Sequence, residues 1–161
     1  MNIALCPGSY DPVTLGHMDI IRRSAKIFDK VIVLVLVNRA KVPSFSVQER
    51  VELIRRATAN MPNVSVDSSE GLLVDYAKEH GANVAVKGLR AVTDFEYEFQ
   101  QALINKKLED METMFMSCAP QYMYLSSSMV KQIAAEGRDI AEFVPPELCE
   151  EIMERLYKQP E

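Results

Sequence analysis

His17 is the side chain whose type and place most plainly point to chemistry. It closes the string Gly8-Ser9-Tyr10-Asp11-Pro12-Val13-Thr14-Leu15-Gly16-His17, which lies between an apolar run and an amphipathic one. A strand, a Gly/Pro turn and a helix start aim free backbone N–H groups and the positive end of a helix dipole at one point, which makes an anion site. An imidazole there can donate to a phosphoryl oxygen, so the string suggests a reaction at phosphate as well as its binding. The dipole disfavours an imidazolium and favours a neutral N–H donor, unless a bound polyphosphate restores the charge. The glycine spacing fits neither G-x-G-x-x-G nor G-x-x-x-x-G-K-[ST], which argues against a dinucleotide fingerprint and a P-loop.

Three further groups could serve the same chemistry. Lys87-Gly88-Leu89-Arg90 sets two cations around a glycine and can clamp a phosphate chain from side chains and backbone together. Lys41, in Asn38-Arg39-Ala40-Lys41, is another cation, of a kind that is usually solvated surface. Ser126-Ser127-Ser128 precedes a helical run; one serine would cap it, whereas three hydroxyls with the helix N–H groups make a second phosphate cradle. His80, the other histidine, stands just before Gly81, where it reads as a helix C-terminal cap. No His/Asp/Glu cluster has ligand spacing, so Mg2+ is expected to ride mainly on substrate phosphates rather than on protein ligands. No Ser-His-Asp triad is legible.

The elements that must position these residues alternate. Strands are expected at Asn2–Leu5, Val31–Val37, Val64–Val66, Val84–Val86 and Thr113–Met116. Val31–Val37 is a continuous β-branched and leucine run, the pattern of a parallel strand covered on both faces. Between them lie helical patterns. One carries Met18, Ile21, Ala25 and Phe28 on a face; a capping box, Ser46 with Glu49, opens the next, with Val47, Val51, Ile54 and Thr58 in register. Leu72, Leu73, Tyr76, Ala77 and His80 form another stripe stopped by Gly81, and Thr93 with Glu96 reads as a second capping box leading a helix through Phe99, Leu103 and Lys106. Ser127–Glu136 ends at Gly137, and Pro145-Pro146 starts a last helix with Leu148, Ile152 and Leu156 on one side. This implies one doubly wound α/β domain with a five-stranded parallel sheet over residues 1–157, and a loose tail over 158–161. Ligands of such sheets bind beyond the carboxyl ends of the strands, and the polar residues above all fall just after strands, so five loops are expected to meet at one edge.

Bulk properties exclude other classes. The chain has 161 residues, a net charge of −5, 48% apolar and 25% charged residues. An acidic chain lacks the basic face that bulk nucleic-acid binding needs. The longest apolar run is too short to span a bilayer. Cys6, Cys118 and Cys149 are widely spaced and odd in number, which fits structural thiols in a reduced, cytoplasmic compartment; no N-terminal segment has signal-peptide form.

The string Gly8 to His17 resembles the nucleotidyltransferase signature G-[ST]-F-D-P-x-x-x-G-H. With Lys87-Gly88-Leu89-Arg90-Ala91-Val92-Thr93-Asp94-Phe95-Glu96-Tyr97-Glu98 and Leu125-Ser126-Ser127-Ser128, almost the whole chain is similar to the bacterial phosphopantetheine adenylyltransferases. The first block marks the superfamily; the three together are specific. The resemblance implies a Rossmann-like nucleotidyltransferase fold and a reaction in which ATP and 4′-phosphopantetheine give dephospho-coenzyme A and pyrophosphate. It implies direct in-line attack with no covalent intermediate, so that catalysis is positioning and charge stabilisation. It places the transition-state-stabilising histidine at His17, and a hydroxyl touching both substrates at Ser9, with Tyr10 beside it at the ATP. Acceptor-binding positions fall on Lys41, Leu73 and Lys87; ATP-binding positions fall on Gly88, Leu89, Arg90, Glu98 and the segment Tyr122, Met123, Tyr124, Leu125, Ser126, Ser127 and Ser128. It also implies a homohexamer and feedback by coenzyme A.

The chain departs from that pattern in places. Ser9 stands for a common threonine and keeps the hydroxyl. Tyr10 stands for phenylalanine, and its hydroxyl needs a partner. Lys87 stands for a frequent arginine and loses the bidentate fork. Thr14 occupies a place where cytidylyltransferases carry a second histidine. Transfer to another phosphate, such as nicotinamide mononucleotide or glycerol phosphate, is the rival enzymatic reading; a non-catalytic nucleotide sensor is the rival from another class.

Overall fold

A computed structural model describes residues 1–157; the expected tail at 158–161 lies outside them. Five parallel strands, β1 (Ile3–Gly8), β2 (Lys30–Leu36), β3 (Val64–Ser69), β4 (Val84–Leu89) and β5 (Glu112–Ser117), form one sheet in the order β3-β2-β1-β4-β5. Helices α1 (Leu15–Ile27), α2 (Val47–Ala57), α3 (Leu73–Glu79), α4 (Val92–Glu109), α5 (Ser127–Ala135) and α6 (Cys149–Leu156) connect and cover it. Successive β2 residues face opposite sides: Val31, Val33 and Val35 pack with α1, α2, α5 and α6, while Ile32 and Leu34 pack with Val74 and Ala77 of α3. Both faces are buried, which is why β2 reads as unbroken apolar sequence.

The sequence places all five strands, but ends three of them too early. β1, β3 and β4 run on through Pro7-Gly8, Asp67-Ser68-Ser69 and Lys87-Gly88-Leu89. These residues break the apolar pattern but still pair across the ladder, with Gly8 opposite Val35 and Gly88 opposite Met116. Lys87, Gly88 and Leu89 are therefore strand residues.

The capping signals divide. The Ser46/Glu49 box forms: the Ser46 amide donates to Glu49 Oε2 at 2.7 Å, and the Glu49 amide to Ser46 Oγ at 3.2 Å. The Thr93/Glu96 box does not. α4 begins at Val92 with Ala91 at its cap, so Thr93 lies inside the first turn and cannot cap it; Asp94 there receives the Arg90 amide at 3.1 Å and the Arg90 side chain as well. His80 behaves as expected, its Nδ1 2.9 Å from the Tyr76 carbonyl oxygen and its ring stacked on Tyr76. Gly81 and Gly137 both take the left-handed conformation that stops α3 and α5.

One feature of the sheet positions the site. β1 pairs with β2 along its whole length but with β4 only through Ala4–Val84 and Leu5–Ala85. Pro7, which has no N–H to donate, follows just where that second ladder ends. Beyond it the two central strands part.

A cleft between the two central strands

A cleft of about 540 Å³ opens where β1 and β4 diverge, which is where the strand order reverses. Its walls are Cys6, Pro7, Gly8 and Tyr10 on one side and Val86, Lys87, Gly88 and Arg90 on the other. His17 and Gly16 of α1 form one end, and Tyr122, Leu125, Ser126 and Ser127 close another.

His17 is held by a local device. Thr14 caps α1, accepting the His17 amide at 3.3 Å on Oγ1, and its own amide donates to His17 Nδ1 at 3.0 Å. His17 thus fills the place that Glu or Gln takes in an ordinary capping box. A backbone N–H can only donate, so Nδ1 is the unprotonated nitrogen and neutral His17 carries its hydrogen on Nε2. Burial, and secondarily the nearby Arg90 cation, push the imidazole down to about 4. The sequence expected a neutral donor from the helix dipole; in the fold, desolvation lowers the imidazole too.

Tyr10 lies beneath this ring, edge to face at 4.9 Å, in a left-handed backbone conformation. Its hydroxyl finds its partner in the Cys6 carbonyl at 2.8 Å. A Cβ on Gly8 would come within 3.0 Å of the Tyr10 ring, so that glycine admits the tyrosine. Gly88 also serves packing, since a Cβ there would lie 2.9 Å from Ile20 Cγ1 of α1.

Lys87 and Glu98 form an ion pair across the cleft at 3.1 Å. Arg90 spans two segments: it pairs with Asp94 at 3.1 Å and donates to the Leu125 carbonyl at 3.0 Å. Ser126 caps α5 through the Met129 amide, and Ser127 Oγ donates to the Pro12 carbonyl at 2.7 Å. Ser127 thus spends its hydroxyl hydrogen on the motif loop, and the expected three-hydroxyl cradle reduces in the cleft to Ser126 and Ser127, with Ser128 exposed outside it.

The five loops do leave from one sheet edge, as expected, but they do not share the cleft equally: it draws on the segments around β1, β4 and β5. Lys41 is exposed in the turn after β2, and Leu73, at the start of α3, packs with the second core; neither lines the cleft. Ser68 to Gly71 also stand aside, because β2 and β3 lie on the far side of β1. Ser9 is exposed just outside, its carbonyl bound by Arg50. Leu89, Met123 and Tyr124 flank the cleft without lining it. Conversely, Ile20, Thr93, Asp94, Tyr97 and Cys118 line it without having been singled out as ligand contacts. The i, i+4 spacing of Arg90 and Asp94 was the available signal for Asp94; Tyr97 is an exposed aromatic on α4 and carried none. The cysteines are free thiols, and burial pushes Cys6 up to about 11.

Among the described residues no group of three or more His, Cys, Asp or Glu side chains could hold a metal ion. The cleft carboxylates Asp94 and Glu98 are already paired with Arg90 and Lys87. A magnesium ion held by protein ligands does not fit there. Among the same residues no helix is long and apolar enough to cross a membrane.

The cytidylyltransferase-like family matches residues 5–133, and the fold is that of a nucleotidyltransferase. Two solved structures share it: a nicotinic acid mononucleotide adenylyltransferase from Plasmodium falciparum, complexed with NaAD (TM-score 0.72, 14% identity, 95% of each chain), and a lipopolysaccharide core biosynthesis protein from Thermoplasma volcanium (TM-score 0.55, 21% identity, 74% of this chain and 97% of that one). The phosphopantetheine adenylyltransferase of Caldanaerobacter subterraneus subsp. tengcongensis is 56% identical over 98% of this chain and 99% of its own length. That of Clostridium tetani is 55% identical over 96% and 98%. The chain belongs to the phosphopantetheine adenylyltransferase family of nucleotidyltransferases.

Proposed function

We propose that this chain transfers the adenylyl group of ATP to 4′-phosphopantetheine, giving dephospho-coenzyme A and pyrophosphate. A phosphate oxygen of the acceptor attacks the α-phosphorus, a new P–O bond forms in line, and the bond to the bridging oxygen of the leaving pyrophosphate breaks. No covalent enzyme intermediate is involved. The observation that carries this reading is the neutral His17 in the β1/β4 cleft, fixed so that Nε2–H is the free donor. A donor of that kind stabilises the charge that builds on an α-phosphoryl oxygen, without having to lose its own proton. Arg90, with the α5 N-terminus at Ser126 and Ser127, supplies positive potential for the ATP phosphates, and Lys87 meets the acceptor phosphate from the cleft side. Lys41, exposed, serves the acceptor phosphate from the β2 side, and Leu73 contacts the pantetheine arm behind it. Ser9 lies between the two groups of residues, and Gly88, Leu89, Glu98 and Tyr122 to Ser128 complete the nucleotide side. Mg2+ travels on the ATP phosphates.

The same reading includes a cytoplasmic location, no nucleic-acid or membrane partner, feedback by coenzyme A, which shares the pantetheine arm with the product, and a homohexamer. Exposed apolar residues on α4 and the edge strand β5, among them Val92, Leu103, Ile104, Leu108 and Met114, offer a surface for copies to meet. A pyrophosphate-release screen tests the activity, with ATP or CTP against phosphopantetheine, nicotinamide mononucleotide and glycerol phosphate. ATP with phosphopantetheine should be turned over best. Faster turnover of another pair, or ATP binding with no release for any acceptor, would overturn the reading.

A further inference from the structure

Asp11 is a charged side chain that the cleft chemistry does not use. It is 7% exposed and does not line the cleft. Its Oδ2 accepts the Ser44 amide at 2.9 Å and pairs with Lys131 Nζ at 2.5 Å; its Oδ1 accepts the Phe45 amide at 2.9 Å. Burial alone would raise this carboxyl, but Lys131 and the two amides outweigh it and hold it below its usual value. A buried carboxylate that engages two other segments fixes their places relative to its own.

Those segments are the ones the reaction must bring together. Lys131 stands four residues after Ser127 on α5, so both point from one helix face, and they seize the successive motif residues Asp11 and Pro12. Ser44 and Phe45 end the loop that begins after β2 and carries Lys41. Buried Arg50 adds a parallel tie, donating to the Ser9 carbonyl at 2.8 Å. Across α6, Arg155 holds the same loop by the Ser44 carbonyl at 3.1 Å and lies over the Phe45 ring.

We infer that Asp11 is a positioning residue: through Lys131 on one side and the Ser44 and Phe45 amides on the other, it holds the His17 loop and the α5 cradle in register with the loop bearing Lys41. This rests on the proposed function, in which the α-phosphate lies on the His17 side and the attacking phosphate on the Lys41 side. The β1–β2 ladder registers the strand ends, with Gly8 opposite Val35, but the loops that carry His17 and Lys41 lie beyond it and need a tie of their own. In-line attack is sensitive to their register, since a misplacement of about 1 Å can cost on the order of a hundredfold.

The test uses the full chain and four variants: Asp11→Asn, Lys131→Met, Lys131→Arg and the double variant Asp11→Asn/Lys131→Met. Each is compared by kcat, by KM for phosphopantetheine and by calorimetric ATP affinity. Lys131→Met should lower kcat by about tenfold or more while ATP affinity moves by less than about threefold, and Lys131→Arg should restore most of it. The double variant should be no slower than the worse single one, because both cut the same tie. An independent readout needs no acceptor: Asp11→Asn should move both the His17 imidazole resonances and the Lys41 amide in 15N-resolved spectra. If phosphopantetheine proves to be the wrong acceptor, the proposed reaction fails and these resonance shifts still decide the positioning role. The inference is overturned if Lys131→Met keeps kcat within about twofold, or if the two single losses add in the double variant. It is also overturned if Asp11→Asn folds and leaves the His17 and Lys41 resonances in place.

Discussion

Acidification is the sharpest probe of His17. The folded imidazole titrates at about 4 and an unfolded one at 6.5. Between these values the unfolded chain takes up a proton that the folded chain refuses. Stability therefore rises with pH across that window and is lost as pH falls from 6.5 toward 4, with no contribution above it. At 1.36 kcal/mol per pH unit the full penalty below 4 is at most about 3 kcal/mol, and at pH 5 it is about 2 kcal/mol. His17→Gln is the matched reference, because glutamine at this helix position can still accept the Thr14 amide and does not titrate. Urea unfolding of both proteins at pH 7.5 and pH 5 isolates the effect. Wild type should lose about 2 kcal/mol more than the variant, while contributions from groups such as Asp11 cancel. The same group is visible directly, since the chain has only His17 and His80 and a His80→Gln variant assigns the two Cε1 protons. A His17 midpoint near 6.5, with equal stability loss in both proteins, would refute the claim that a neutral, desolvated donor faces the cleft.

Other perturbations follow from the same geometry. His17→Ala should lower turnover by ~10²-fold or more with little change in ATP affinity, the scale for losing one transition-state donor; near wild-type turnover would remove His17 from the reaction. Lys41→Ala and Lys87→Ala should each weaken phosphopantetheine use more than ATP binding; equal losses of both, by calorimetry, would show that the two lysines do not divide from the nucleotide site as proposed. Lys41→Ala should cost no thermal stability, because that side chain is exposed. Gly88→Ala should destabilise by ~1–3 kcal/mol through its clash with Ile20, and Ile20→Ala should relieve most of that cost in a double-mutant melt.

How much of this was legible in the sequence depends on the range of the interaction that decides each feature. The β2 run, the Ser46 capping box and the Gly81 and Gly137 stops are decided within a turn or a ladder spacing, and all appear where the pattern puts them. The Thr93 box fails within a turn as well: the helix starts at Val92, which puts Thr93 inside its first turn, while Asp94 there binds Arg90. α4 shows the limit of periodicity. The helix expected through Phe99, Leu103 and Lys106 forms, yet Phe99 and Leu103 are exposed, because a helix at the sheet edge against β4 and β5 has no layer outside it.

The candidate site divides along the same line. Its string, its cations and its serines were readable because residue type and spacing carry the phosphate chemistry. Their distribution was not, because it follows from strand order. β4 crosses to the far side of β1, so Lys87 and Arg90 join His17, while Lys41 and Leu73, on the loops after β2 and β3, stay across β1 from them. Asp11 and Lys131 are 120 positions apart, and nothing in either neighbourhood marks them as partners. A two-substrate transfer needs both kinds of information. In the proposed reaction the motif supplies a donor for the reacting phosphate, and the strand order sets Lys41, one of the two lysines assigned to the acceptor, on the opposite side of β1. The β1–β2 ladder stops at Gly8 and Val35, so beyond it ties between distant segments, such as those of Asp11 and Arg50, fix the distance between the donor and that lysine.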